Sequence, residues 1–169
     1  MNRIVYMVLR HLPIVPYWFW KIDHMGKRPD QYPEQERYDY LRNIIKTINQ
    51  NGRVTVRGYG EEQLPKENGF ILFPNHQGFF DMLAIIDTCP KPLGVIIKKE
   101  AANWILVKQV LRLLGGIPMD RSDIRAAMEV IKEMTRQVKE GKNYVIKEVK
   151  EYTSLEEAQN ENEGFKKNK

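Results

Sequence analysis

Sulfur and metal chemistry are nearly closed to this sequence. A single cysteine, Cys89, stands among 169 residues, so an intrachain disulfide cannot form and a four-cysteine zinc site is excluded, which suits a reducing compartment. Cys89 itself reads as a small buried residue. The three histidines, His11, His24 and His76, are far apart and none stands in HExxH spacing, so no metal site is expected. Uninterrupted apolar runs are also missing. The most apolar stretch, residues 4–20, is 17 residues long and holds Arg10, His11, Pro13 and Pro16, whereas a bilayer span wants about 20 apolar residues. It continues into Lys21, Asp23 and His24 without a small-residue cleavage pattern, unlike a secretory signal. With 42% hydrophobic residues, 11 Gly and 9 Pro, a disordered or collagen-like chain is excluded, and the length fits one globular domain better than two.

Lys and Arg number 27 against 22 Asp and Glu, a formal net charge of +5, which favours an anionic partner. Nucleic acid is not expected, because the basic residues are dispersed and no RNA or DNA motif is present. An anionic membrane surface fits better. Tyr17, Trp18, Phe19 and Trp20 form an aromatic cluster suited to headgroup depth, and Arg3, Arg10, Lys21, Lys27 and Arg28 are placed to meet anionic lipid. Residues 1–24 are therefore expected to lie at a membrane interface. The competing expectation is a core helix packed on its own domain.

Beyond a polar connector, Tyr40, Leu41, Ile44, Ile45 and Ile48 recur at helical spacing and predict a helix over about 35–49, stopped at Asn51-Gly52. Val54, Val56 and Tyr59 alternate as in a short strand, and FILF at 70–73 predicts a buried strand running into Pro74. A helix over 82–86, a strand at 93–97, a helix over 100–114 closed by Gly115-Gly116, and a strand at 117–119 follow. Ser122 is a candidate N-cap for a helix whose apolar face is Ile124, Ala127, Met128, Ile131, Met134 and Val138. NYVI at 143–146 is a further strand. Strands alternating with helices of crossover length predict an α/β fold. From Lys147 the composition changes: residues 147–169 hold 5 Lys and 6 Glu, a charge of −1 that leaves +6 on residues 1–146. This stretch reads as a polar, solvated tail.

The chemistry concentrates in residues 73–85, FPNHQGFFDMLAI. His76 follows the carboxyl end of a predicted buried strand, where α/β sheets place ligand sites, and Asp81 opens an apolar helix. Residues five apart on one continuous helix lie about 140° apart, so the two side chains meet only if His76 sits at or before the first turn, which Gly78 eases. In that geometry the carboxylate fixes the imidazole tautomer and raises the basicity of the other nitrogen, which can take a proton from a hydroxyl. Capping of the helix by Asp81 is the plainer alternative.

Asn75-His76-Gln77-Gly78-Phe79-Phe80-Asp81 resembles the NHxxxxD signature of the glycerolipid acyltransferases. The best subfamily match is to 1-acylglycerol-3-phosphate (lysophosphatidic acid) acyltransferases. Lys98-Lys99-Glu100, then Gly115-Gly116-Ile117-Pro118-Met119-Asp120-Arg121 after a helix-length spacer, is similar to that family's second block, and the likeness covers roughly residues 50–146. The resemblance implies a mixed sheet flanked by helices, and direct attack of an acceptor hydroxyl on the thioester of acyl-CoA or acyl carrier protein. His76 would be the general base and Asp81 its orienting partner. Lys98 and Arg121 are candidates for the acceptor's phosphate, whose geometry suits an ammonium and a planar guanidinium. Asn75 and Gly78 would shape the loop, and Lys99 would face solvent. No cofactor is implied beyond the acyl donor. Ser122, Ser154 and Cys89 lie in no nucleophile-elbow pattern such as GxSxG, which agrees with direct transfer.

The domain expectation is an N-terminal interfacial segment at 1–50, a partial acyltransferase core at 51–146 and a divergent tail at 147–169, on the cytoplasmic face of a membrane. The family's third block, Phe-Pro-Glu-Gly-Thr-Arg-Ser, should follow the strand ending at Ile146, where this chain has Lys147-Glu148-Val149-Lys150. The expectation is a truncated or frame-shifted enzyme with weak or no activity. Its alternative is a catalytically dead, lipid-binding remnant.

Overall fold

The computed structural model describes residues 11–75, 79–120 and 122–146. Four strands, β1 (Ile71–Leu72), β2 (Gly94–Lys98), β3 (Ile117–Met119) and β4 (Tyr144–Ile146), form a sheet in the order β1-β4-β2-β3. All described pairings are parallel, with Leu72 opposite Val145, Val95 opposite Val145, and Lys98 opposite Met119. The mixed sheet expected from the family resemblance is thus purely parallel among the described residues. β2 is central and buried through Gly94, Val95, Ile96 and Ile97, as the continuous apolar run of a strand covered on both faces requires.

Among the described residues six α-helices surround it: α1 (Val15–Gly26), α2 (Glu34–Asn51), α3 (Phe79–Thr88), α4 (Lys99–Ala102), α5 (Ile105–Leu114) and α6 (Ile124–Lys139). Val95, Ile97 and Val145 join Ile22, Leu41, Met82, Ile86 and Leu113 in one core cluster, so α1, α2, α3 and α5 cover one face. Ile96 and Tyr144 meet Met134 of α6 on the other. Handedness explains the division. The crossovers from β1 to β2 and from β2 to β3 travel one way along the sheet, whereas that from β3 to β4 returns over β2, and right-handed crossovers running in opposite directions lie on opposite faces.

Buried polar side chains tie the helices and loops to this sheet. Asn143, 2% exposed, accepts from the amide of Gly69 at 2.8 Å and donates to the Pro92 carbonyl at 3.0 Å, joining the loops that enter β1, β4 and β2. Arg37 donates to the Leu113 carbonyl at 2.6 Å, satisfying the end of α5, and Arg42 does the same for Asp87 and Thr88 at the end of α3. Such groups satisfy carbonyls that helix ends leave orphaned.

Several expectations change. Residues 54–60 form no strand; Val54 and Val56 are partly buried while Thr55 and Arg57 face out, so alternation sets burial without supplying a ladder partner. The helix expected over 100–114 breaks at Asn103-Trp104, where Trp104 is extended (φ −66°, ψ 134°) and starts α5 anew. Gly115, left-handed at φ 63°, ends α5 as expected. The N-cap of α6 is Asp123, not Ser122; its side chain accepts from the amides of Arg125 and Ala126. α6 buries Met134 with Ala127, Val130 and Val138 partly covered, leaving Ile124, Met128 and Ile131 more exposed than the sequence pattern suggested. In α1, Ile22 and Met25 are buried and Trp18 packs on the core, as the core-helix alternative expects, while Tyr17 and Trp20 remain exposed. No helix among the described residues is long and apolar enough to cross a membrane.

Candidate active site

Because β1, β2, β3 and β4 are parallel, the segments that follow them leave from one edge of the sheet. Asn75 follows β1, Lys98 ends β2, and Asp120 follows β3 directly. Adjacent strands are about 4.8 Å apart, so the β2 and β3 ends adjoin while β1 lies about two strand spacings from β2. The connection leaving β2 runs on the α5 face and that leaving β3 runs on the α6 face. The gap between the two strand ends is therefore a topological switch point, where open parallel sheets form their ligand crevice. Lys98 borders it from one side and Asp120 and Ser122 from the other.

Asp81 is the third residue of α3 and is half-buried. A carboxylate in a first helical turn is favoured by the helix dipole. His76, Gln77 and Gly78 lie outside the described residues, as does Arg121; the meeting of His76 with Asp81 and the position of the Arg121 guanidinium therefore belong to the chemistry proposed below. Asn75 is exposed, just ahead of that loop. Lys98 sits at the start of α4 with an exposed side chain.

Sequence reasoning passed over a lock formed by Asp120, Ser122 and Lys99. Asp120 accepts from the Ser122 hydroxyl at 2.6 Å and from the Ser122 amide at 3.0 Å, and pairs with Lys99 at 3.4 Å across the β2 and β3 ends. Lys99 is largely exposed, as expected, yet it is also engaged. The D-x-S spacing of residues 120–122 was the available signal, since an aspartate readily bonds the backbone two residues on. Hydrogen bonds from Ser122, assisted by Lys99, hold the Asp120 carboxyl below its ordinary value of 3.8. Its folded-state value being depressed, the contribution of Asp120 is present above 3.8 and is lost as pH falls through the folded value. Asp120→Asn is accordingly expected to flatten the acid limb of stability. Thermal midpoints followed from neutral pH down past 3.8 should fall less steeply for the variant than for the parent.

Cys89 and Tyr38 lie in the core. Burial raises the Cys89 thiol above its usual value, and its Sγ lies 3.5 Å from the Lys91 carbonyl. Tyr38 donates to the Cys89 carbonyl at 3.1 Å. Among the described residues no group of His, Cys, Asp and Glu is arranged to hold a metal ion.

Residues 53–147 match the family model described as Acyltransferase, which is more than half of the chain. A 1-acyl-sn-glycerol-3-phosphate acyltransferase of Bacillus subtilis (strain 168) is 26% identical over 102 residues, covering 57% of this chain and 51% of that protein. The chain thus spans about half the length of this relative. No solved structure matches it. The matched region holds β1 to β4 and every candidate site residue from Asn75 to Arg121, and the chain belongs to the acyltransferase family.

Proposed function

We propose that this chain transfers a fatty acyl group from a thioester, acyl-CoA or acyl carrier protein, to the free hydroxyl of a lysophosphatidic acid-type acceptor. His76 takes the hydroxyl proton and Asp81 orients the imidazole, so that the acceptor oxygen forms the ester bond as the thiolate leaves. Lys98 and Arg121 hold the acceptor's phosphate at the crevice between β2 and β3; Asn75 and Gly78 shape the turn that carries His76. The observation that carries this reading is the family match over residues 53–147, which includes both blocks, together with the switch point bordered by Lys98. Work at the cytoplasmic face of a membrane, reached through residues 1–24, belongs to the same proposal.

The rate is expected to be low. Residues 147–150 do not supply the arginine of the family's third block, and loss of one charge-assisted phosphate contact removes about 1.5–3 kcal/mol, roughly 10- to 150-fold in the rate constant for productive encounter. This difference also favours the second reading, a lipid-binding protein without turnover. Free thiol release from acyl-CoA or acyl carrier protein, measured with lysophosphatidic acid, monoacylglycerol or no acceptor, separates them. Slow release that needs the phosphorylated acceptor supports the enzyme. Release indifferent to acceptor contradicts it, and vesicle binding with no release supports the second reading.

A further inference from the structure

Large exposed apolar side chains gather at the edge of the sheet that carries the candidate site. Trp104, Ile105 and Leu106, at the start of α5, are 68%, 73% and 54% exposed, although buried positions would be the usual place for such residues. They follow β2 by way of α4. Phe73 follows β1 directly and Ile124 opens α6 after β3; both are also exposed. Parallel strands send all three segments out on one side.

The exposed N-terminal aromatics extend this edge. α1 makes its most extensive contact with α5. Gly26 lies against the backbone of Leu113, and Asp23 pairs with Arg112 at 3.0 Å, so the two helices end together. Lying alongside each other at similar length, they also begin together, at the site edge, which puts the exposed Leu12 and Tyr17 on the same side as Trp104.

We propose that this edge is a bilayer-docking face, with Trp104, Ile105 and Leu106 seated at the headgroup level of an anionic phospholipid surface. The inference rests on the reading of a lipid acceptor given above. Its chemistry selects a bilayer. Tryptophan beside aliphatic residues at an exposed helix start is an interfacial anchor. Residues 103–108, the start of α5, carry Lys108 and no acid. On α6, at 100° per residue, Arg125 and Lys132 fall beside the apolar stripe of Ile124, Met128 and Ile131. Of the nearby acids, Asp120 is engaged with Ser122 and Lys99 and Asp123 caps α6, while the exposed Glu100 on α4 is flanked by the equally exposed Lys98 and Lys99. A protein seated across these segments would close the crevice they surround, whereas a fluid lipid surface delivers its own molecules into it.

The test uses the full chain and vesicles of phosphatidylcholine and phosphatidylglycerol. The chain has 3 tryptophans, so Trp18→Phe with Trp20→Phe leaves Trp104 as sole reporter. Vesicles brominated on the acyl chains should quench its emission. In the otherwise native chain, Trp104→Ser with Ile105→Ser should weaken vesicle partition about tenfold with an unchanged thermal midpoint, since both side chains are exposed. If the parent binds vesicles but Trp104 is not quenched and the double variant binds equally well, this inference is overturned while membrane action through residues 1–24 stands. If the parent does not bind at all, both fall. If the parent self-associates and the double variant is monomeric with vesicle binding unchanged, the patch is a contact between copies and the bilayer assignment is wrong.

Discussion

His76→Ala and Asp81→Asn are each expected to lower acyl transfer by about 10²- to 10⁴-fold, the range supplied by a positioned general base and by the carboxylate that orients it. The two substitutions act on one unit, so the double variant should be little slower than the worse single one. Asp81 has a competing structural role. It sits in the first turn of α3, where exchanging a carboxylate for an amide sacrifices about 0.3–1 kcal/mol of favourable interaction with the helix dipole. The two roles separate cleanly. A purely structural aspartate would lower the thermal midpoint slightly and leave turnover per folded molecule intact; an orienting one abolishes turnover at nearly constant stability. Asp81→Glu sharpens the distinction, because it keeps the charge for the dipole but displaces the carboxylate from the imidazole. It should hold the parent's midpoint while losing most of the rate. A parent-like rate in Asp81→Asn, measured as acceptor-dependent thiol release, would remove Asp81 from the mechanism.

The elements that periodicity made visible were those whose burial is one-sided or complete. β2 and β4 were legible as short apolar runs, and α2 as a repeated spacing ended at Asn51-Gly52, because in each case one packing requirement dominates. Long-range partners were not legible. Nothing local distinguishes Val54 and Val56, which lie partly buried beside no ladder, from a paired strand. The break at Trp104 is similar: residues 100–114 have continuous helical propensity, and the break becomes visible only through the extended Trp104 backbone. The rotation of α6 was also hidden. Eight of its residues are apolar, and the choice of Met134 over Ile131 is made by Ile96 and Tyr144 on a sheet assembled from distant segments. At the candidate site the blocks containing His76, Asp81, Lys98 and Arg121 stand out as sequence motifs, while their roles remain those proposed above. The Asp120 lock could not be ranked, because its third member, Lys99, arrives from the neighbouring strand.

Gly94→Ala is expected to destabilise the fold by about 2–4 kcal/mol, the sum of overpacking and one strained hydrogen bond, or roughly 5–15 °C in midpoint for a chain of this size. A β-carbon at residue 94 would stand 2.5 Å from Cε1 and 2.9 Å from Cδ1 of Tyr144, its partner on the adjacent strand. The ring has little room to yield. Tyr144 is 1% exposed, and its hydroxyl is held by Gln137 Oε1 at 2.6 Å, an environment whose burial pushes the phenol up to about 12. Gly115→Ala is the informative control: open space surrounds that position but its φ is +63°, so only backbone strain of about 1 kcal/mol is expected. A larger loss at residue 94 than at residue 115 in urea titrations identifies side-chain crowding as the cause. Tyr144→Leu, destabilising by itself, should recover part of the Gly94→Ala loss, giving a favourable coupling of about 1 kcal/mol or more in a double-mutant cycle. Additive losses would show that the two residues do not compete for the same space. Gly94 begins β2, at the end of the strand opposite Lys98 and the crevice. The folded fraction of Gly94→Ala should therefore retain the parent's acceptor KM while the amount of active protein falls, which separates this lesion of the sheet from any lesion of the site.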